Sequence, residues 1–176
     1  MKKMMLAWCT ALVLLSGCAS VEVTDYKAEK PALDLRKYFN GKLDARGMFQ
    51  DRSGKVIKRF HVAMIATWQG DVGTLDENFT YSDGTTQKRI WTLTRQADGN
   101  YIGRADDVVG EARGELSGNA LRWRYVLALP VDGKVYNVNF DDWMFLIDDK
   151  VMLNRSFMSK FGIELGQVTL SFTRQD

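Results

Sequence analysis

The sequence predicts an all-β protein: an antiparallel up-and-down barrel of about eight to ten strands with a short N-terminal helical lead-in. Three observations predict it. From Gly41 onward the apolar residues recur with period two. Turn pairs punctuate that stretch at Ser53-Gly54, Gly70-Asp71, Asp83-Gly84, Asp98-Gly99, Gly118-Asn119 and Asp132-Gly133. The segments between them are long and rich in Val, Ile, Thr, Tyr, Phe and Trp, and the last proline, Pro130, stands beside a turn. A meander of long strands in one small domain removes its own sheet edges by closing on itself, which favours a barrel over the alternative, a sandwich. The chain has 176 residues, 45% of them hydrophobic and 11% aromatic, which suits one core and excludes disorder and collagen-like repeats.

The first element, residues 1–17, reads as a signal peptide. Met1-Lys2-Lys3 is a charged start and Met4 to Leu15 an apolar run. As a helix that run rises only about 18 Å, short of the roughly 30 Å hydrocarbon core of a bilayer. It ends in Leu15-Ser16-Gly17-Cys18, which resembles the lipobox of bacterial lipoproteins. That resemblance implies lipidation of Cys18 and cleavage just before it. Several acyl chains, each buried methylene contributing about 0.8 kcal/mol, make such an anchor stable, so the membrane is the expected partner. Ala19 rather than Asp follows the anchor. By resemblance to sorted lipoproteins this implies the periplasmic face of the outer membrane of a Gram-negative cell.

Cleavage removes Lys2 and Lys3 and leaves basic and acidic residues balanced at 22 each. A neutral body argues against nucleic acid as a partner. Cys9 leaves with the signal and Cys18 takes the lipid, so no disulfide is expected. Residues 18–32 are polar and aperiodic and read as a lipidated tether. Residues 33–176 form the barrel domain, with Leu33, Leu35, Tyr38 and Phe39 as its amphipathic lead-in.

Hairpin loop lengths fix which residues face one another. A two-residue turn at Gly118-Asn119 sets Leu116 against Leu121, Gly114 against Trp123 and Ala112 against Tyr125. A three-residue loop at Ser82-Asp83-Gly84 sets Phe79 against Gln87, Glu77 against Arg89 and Leu75 against Trp91. The loop Ala97-Asp98-Gly99 sets Leu93 against Gly103 and Trp91 against Ala105. All three registers put the tryptophans on one face, together with small residues: Ala45, Gly47, Gly103, Ala105, Gly110, Ala112 and Gly114. Two readings stand: small and large residues alternate to fill a tapering barrel, or the small ones leave a lumen for an apolar ligand.

The candidate ligand-binding residues on this face are Glu77, Arg89, Trp91, Trp123 and Tyr125, with Asp142 and Arg155 added if their strands keep the apolar alternation. Buried charges pair or pay a large desolvation cost. Glu77 and Arg89 therefore either form a closed ion pair, or Arg89 or Arg155 receives the carboxylate or phosphate of an amphiphile. A proton-transfer role for Glu77, Arg89 and Asp142 is the enzymatic alternative. The adjacent acids Asp106-Asp107, Asp141-Asp142 and Asp148-Asp149 make poor acid–base couples, because neighbours in a strand point to opposite faces. His61 is the only histidine, and no nucleophile elbow, phosphate loop or dinucleotide fingerprint occurs. No catalytic residue, metal site or cofactor is therefore assigned.

Tyr38-Phe39-Asn40-Gly41, Gly47 to Gly54, Phe79 to Gly84, Asp107-Val108-Val109-Gly110 and Asp141 to Met144 resemble a family of bacterial lipoproteins that carries only a domain-of-unknown-function label. The resemblance spans nearly all of residues 38–174. It implies a compact β domain near the lipocalin-like (calycin) barrels and supplies no catalytic residues. It also implies a role in envelope lipid handling, with a fatty acyl chain or another small apolar or amphiphilic molecule as ligand. A filled barrel that acts as a scaffold in an envelope complex is the alternative.

Overall fold

The computed structural model describes residues 20–175, so Cys18 and the signal segment lie outside the described residues. Ten strands follow in chain order: β1 (Gly41–Asp51), β2 (Val56–Gln69), β3 (Val72–Tyr81), β4 (Thr86–Arg95), β5 (Tyr101–Arg104), β6 (Ala112–Ser117), β7 (Ala120–Val131), β8 (Lys134–Leu146), β9 (Val151–Lys160) and β10 (Ile163–Arg174). Each pairs antiparallel with the next, and β1 pairs with β10 from Leu43↔Arg174 to Asp51↔Gly166, which closes the barrel. Closure removes the terminal sheet edges, leaving only the stretch between β4 and β7 where β5 and β6 are short.

Alternation along the strands fixes what lies inside. Leu43 and Ala45 of β1, Val62, Met64 and Ala66 of β2, Val138 and Phe140 of β8, and Val168 and Phe172 of β10 are buried. The intervening residues form the outer wall, where ion pairs such as Arg46–Asp44, Lys88–Asp76 and Arg122–Asp141 stand. Charges outside and apolar groups within are the reverse of a membrane-spanning barrel with an apolar outer band.

The predicted registers hold through most of three hairpins. Leu116↔Leu121, Gly114↔Trp123, Phe79↔Gln87, Glu77↔Arg89, Leu75↔Trp91 and Leu93↔Gly103 are all paired. Gly84 and Gly99 carry φ +82° and +88° in the left-handed positions that the three-residue loops require. Two expected pairs do not form, Trp91 with Ala105 and Ala112 with Tyr125. β5 stops at Arg104, and β6 pairs Ala112 with Gly103 instead. Beyond those points the wall between β4 and β7 is carried by the connection 105–111. Its backbone bonds to β7 through Val109 N–H to Val126 O (2.9 Å) and Ala128 N–H to Asp107 O (2.8 Å).

One end of the barrel is stoppered. The expected helical lead-in is a single turn, α1 (Leu35–Tyr38), whose N-cap Asp34 accepts a hydrogen bond from Arg36 N–H. Leu35, Tyr38 and Phe39 are buried beneath it. Tyr38 shares its hydroxyl proton between the carbonyls of Lys150 and Phe172, both at 3.1 Å, and Trp68 Nε1 donates to Phe39 O at 2.6 Å. The segment expected to be a tether is instead held against the barrel from Glu22 onward. It contains a 3-10 turn (Val23–Tyr26), the Tyr26 ring lies on Trp143 and Phe145, and Glu22 pairs with Arg122. No period could announce this contact, because a short irregular segment packs through single residues.

Candidate functional site

Between the stopper and the opposite, turn-bearing end lies a cavity of about 170 Å³. Leu35 and Phe39 line it at the closed end and Tyr81, Leu129 and Leu170 toward the open end, with Phe60, Trp91 and Tyr125 between them. The aromatic walls brace one another edge to face: Trp91 stands 5.9 Å from Trp123 and 5.5 Å from Tyr125, centroid to centroid.

The small-residue face plays a different part from the lumen the sequence allowed. A Cβ at Gly103 or Gly114 would collide with the Trp123 ring, and one at Gly47 with Phe60. These glycines make room for large side chains of the protein itself, so the alternation fills the barrel there. The remaining space lies on the other side of the rings.

Of the expected polar residues, Glu77, Arg89, Tyr125 and Asp142 come together around the cavity. Arg155 does not. It lies on the outer wall over the Phe157 ring and donates to Gln167. Both faces of β9 carry apolar residues, and the phase is set by buried Met152, which turns Asn154 and Ser156 inward. Glu77 and Arg89 face each other in the ladder, but the guanidinium is not closed on Glu77. It binds Asp107 bidentately, Nε to Oδ2 at 2.9 Å and Nη2 to Oδ2 at 2.7 Å, with Nε also 3.1 Å from Oδ1. Asp107 belongs to the connection that replaces β5 and β6 as wall, so strand alternation gave no sign of it.

This pairing leaves the lumen with two carboxyls and no cation free of a carboxylate partner. Glu77 and Asp142 are 8% and 6% exposed. Burial raises the Glu77 carboxyl to about 7, against the opposing pull of Arg89. Burial likewise raises Asp142 to about 7, only partly offset by neighbouring Ser156 and by Tyr125. The Tyr125 hydroxyl donates to Asp142 Oδ2 at 3.3 Å, and burial pushes its own pKa far up. Asp142 Oδ1 and Ser156 Oγ are buried and make no hydrogen bond of ordinary geometry. With values near 7 each acid is partly protonated near neutrality, and in the protonated form each is a hydrogen-bond donor.

The remaining candidates fall away from the cavity. His61 is on the outer wall, paired with Asp44. Asp148 caps its own turn by accepting from Lys150 N–H and Val151 N–H. No cluster of metal-ligating side chains occurs among the described residues.

A closed antiparallel barrel, stoppered at one end and keeping an apolar cavity with a few polar groups in its wall, defines a small barrel of lipocalin-like form. Within that class, the chain belongs to the family described as Protein of unknown function (DUF3833), whose model matches residues 12–174. Among curated proteins no match is found. Among solved structures, the chain is similar to the S-type phycobiliprotein lyase CPES from Guillardia theta, with a TM-score of 0.60 at 9% identity over 89% of this chain and 99% of that one. It is also similar to a de novo designed fluorescence-activating β-barrel, with a TM-score of 0.45 at 12% identity over 81% of this chain and 99% of that one.

Proposed function

We propose that this protein is a lipid-anchored binding barrel that holds an apolar or amphiphilic molecule, such as an acyl chain, in its lumen at the periplasmic face of the outer membrane. The observation that carries the reading is the retained cavity behind a sealed end: an apolar space is costly to leave unfilled, and a barrel built only for support would close it. Size narrows the ligand. An apolar cavity of roughly 150 Å³ admits benzene. The 170 Å³ here thus takes a ring or the end of a chain, with the rest of a longer molecule at the mouth. Polarity narrows it further. Because Arg89 is committed to Asp107, the ligand's polar group meets Glu77, Asp142 and Tyr125, which suit a hydrogen-bonding group better than a fixed anion. Cys18 supplies the anchor in this reading, through the lipobox that ends the signal segment.

Native mass spectrometry of the gently purified, exported protein, followed by organic extraction, tests the proposal. A stoichiometric adduct that disappears on Tyr125→Ala or Trp91→Ala, in folded variants, is the expected result. A bare mass that persists after incubation with envelope lipids would overturn it and favour a scaffold. Two buried acids poised near neutrality also favour a second reading, proton transfer on a bound substrate. Its signature is a lipid or glycan product formed by the wild type and lost on Glu77→Gln.

A further inference from the structure

Five hairpins turn at the open end of the barrel, and their tips are not alike. Those of β7–β8, β9–β10 and β1–β2 are consecutive around the rim, because β8 pairs with β9 and β10 with β1. They expose Val131 and Val135 (67%), Phe161 (89%) and Ile163 (58%), and Ile57 (63%). The apolar run ends at the next tip, that of β3–β4, which is Ser82-Asp83-Gly84, a polar turn fastened to β2 by Lys58–Asp83. Single exposed apolar residues are ordinary on any protein, whereas this run of them on one side of a cavity mouth is a contiguous feature.

A second observation is independent of exposure. The β7–β8 and β9–β10 hairpins use the same two-residue turn with both central residues at positive φ: Asp132 and Gly133 at 50° and 76°, Phe161 and Gly162 at 52° and 76°. Asn or Asp is the residue such a turn favours at its first position, as Asp132 is. A bulky side chain in the left-handed region is strained. Phe161 is thus unfavourable for the backbone and gains no burial within the chain, so its gain lies outside it.

Charge identifies the occupant. Among the apolar tip residues stand Arg52, Lys55, Lys134 and Lys160, against Asp51, Asp132 and Glu164, and the Asp51 carboxylate is turned inward on its own loop, where it accepts from Ser53 and Lys55 N–H. The Lys160 ammonium lies over the rings of Tyr136 and Phe161, at 4.8 and 5.3 Å from their centroids. An aromatic and aliphatic tip collared by cations is the pattern of a surface that enters the headgroup layer of an anionic bilayer. The N-terminal segment runs the same way. Leu33 N–H bonds Gly118 O at the stoppered end, and Glu22 reaches Arg122 farther up β7, so the chain climbs the wall beneath the β7–β8 tip as it approaches residue 20.

We infer that the β7–β8, β9–β10 and β1–β2 tips form a docking surface for an anionic lipid bilayer, which sets the barrel mouth against the membrane. This surface acts whether or not the cavity binds a ligand and whether or not Cys18 is acylated.

A chain beginning at Ala19 carries every strand and the stopper and contains no cysteine, so it accepts a single environment-sensitive thiol probe. The probe is placed at Ile163→Cys on the rim or, for comparison, at Ile147→Cys at the stoppered end. Phosphatidylglycerol/phosphatidylethanolamine vesicles should shift the emission of the rim probe to the blue and leave the other unchanged. Phe161→Asn should weaken vesicle binding by about tenfold. It should leave the thermal midpoint unchanged or raised, because Asn suits the turn. No shift at the rim, or equal shifts at both ends, would overturn the inference. So would a rim shift that grows with protein concentration before vesicles are added, which would mean that a second copy covers the tips.

Discussion

Replacing Asp142 by Asn should stabilise the protein at alkaline pH and do almost nothing in acid. The side chain is nearly wholly buried, its Oδ1 makes no hydrogen bond of ordinary geometry although Ser156 stands opposite it, and its one clear partner is the Tyr125 hydroxyl at 3.3 Å, which an amide oxygen also satisfies. Burial raises the carboxyl from 3.8 to about 7 in the folded state. Between those values the native state holds a proton that the unfolded chain releases. Stability therefore falls as pH rises through the window and the penalty is complete above pH about 7. Such a rise corresponds to on the order of 4 kcal/mol. Relaxation and water entry reduce it, and about 2–4 kcal/mol is the expected gain for Asp142→Asn at pH 8, against under about 1 kcal/mol at pH 4. Urea unfolding at pH 4, 6 and 8 measures the difference directly, as a midpoint displaced upward by roughly 1–2 M at pH 8. A variant less stable than wild type at pH 8, or a difference independent of pH, would refute the claim that an uncompensated carboxylate is buried there.

Three further outcomes follow from the packing. Gly114→Ala forces a methyl into the Trp123 ring and should cost about 1–3 kcal/mol in thermal unfolding, although Gly to Ala adds only one carbon. Tyr38→Phe removes the hydroxyl that ties the stopper to Lys150 O and Phe172 O. It should cost about 1–2 kcal/mol and quicken amide exchange across residues 35–39 first. Asp107→Asn takes the carboxylate from Arg89, which is then drawn to Glu77. Carbonyl NMR titration should show the Glu77 carboxyl titrating lower than in the wild type, and an unchanged Glu77 would mean that Arg89 stays on the loop.

Much of this fold was legible because a barrel is built from local rules. Period-two alternation named the strands, and glycine at the left-handed loop positions set the registers of β3–β4 and most of β4–β5 and β6–β7. The inward residues Glu77, Arg89, Trp91 and Trp123 followed from those registers, Tyr125 from the phase of its strand, and Asp142 from the condition that β8 keeps the apolar alternation, which it does. What escaped was non-local or ambiguous in phase. β9 has apolar residues on both faces, so Arg155 was placed inside and Asn154 and Ser156 overlooked. The sealing of the lower end by Tyr38 and Trp68 depends on carbonyls far away in sequence, which no spacing records.

The most consequential omission, Asp107, connects the wall to the lumen. Along β4 from Thr86 to Trp91, and along β7 beyond Arg124, strand pairing toward β5 and β6 has run out. A continuous ladder resists opening through many backbone bonds at once. Here the wall is closed by two backbone hydrogen bonds and the Arg89–Asp107 pair, with Gln87 Nε2 reaching Asp107 at 3.5 Å. Few bonds and partly exposed partners make this the stretch of wall that opens at least cost. It also borders Glu77 and Tyr125, so the ion pair that neutralises Arg89 is the same one that shuts the wall. Whatever loosens it frees a cation beside two buried acids and widens the route to the cavity together. The Asp107 carboxylate thus does two things from a connection that is not a strand: it neutralises Arg89 and it ties residues 105–111 to β4.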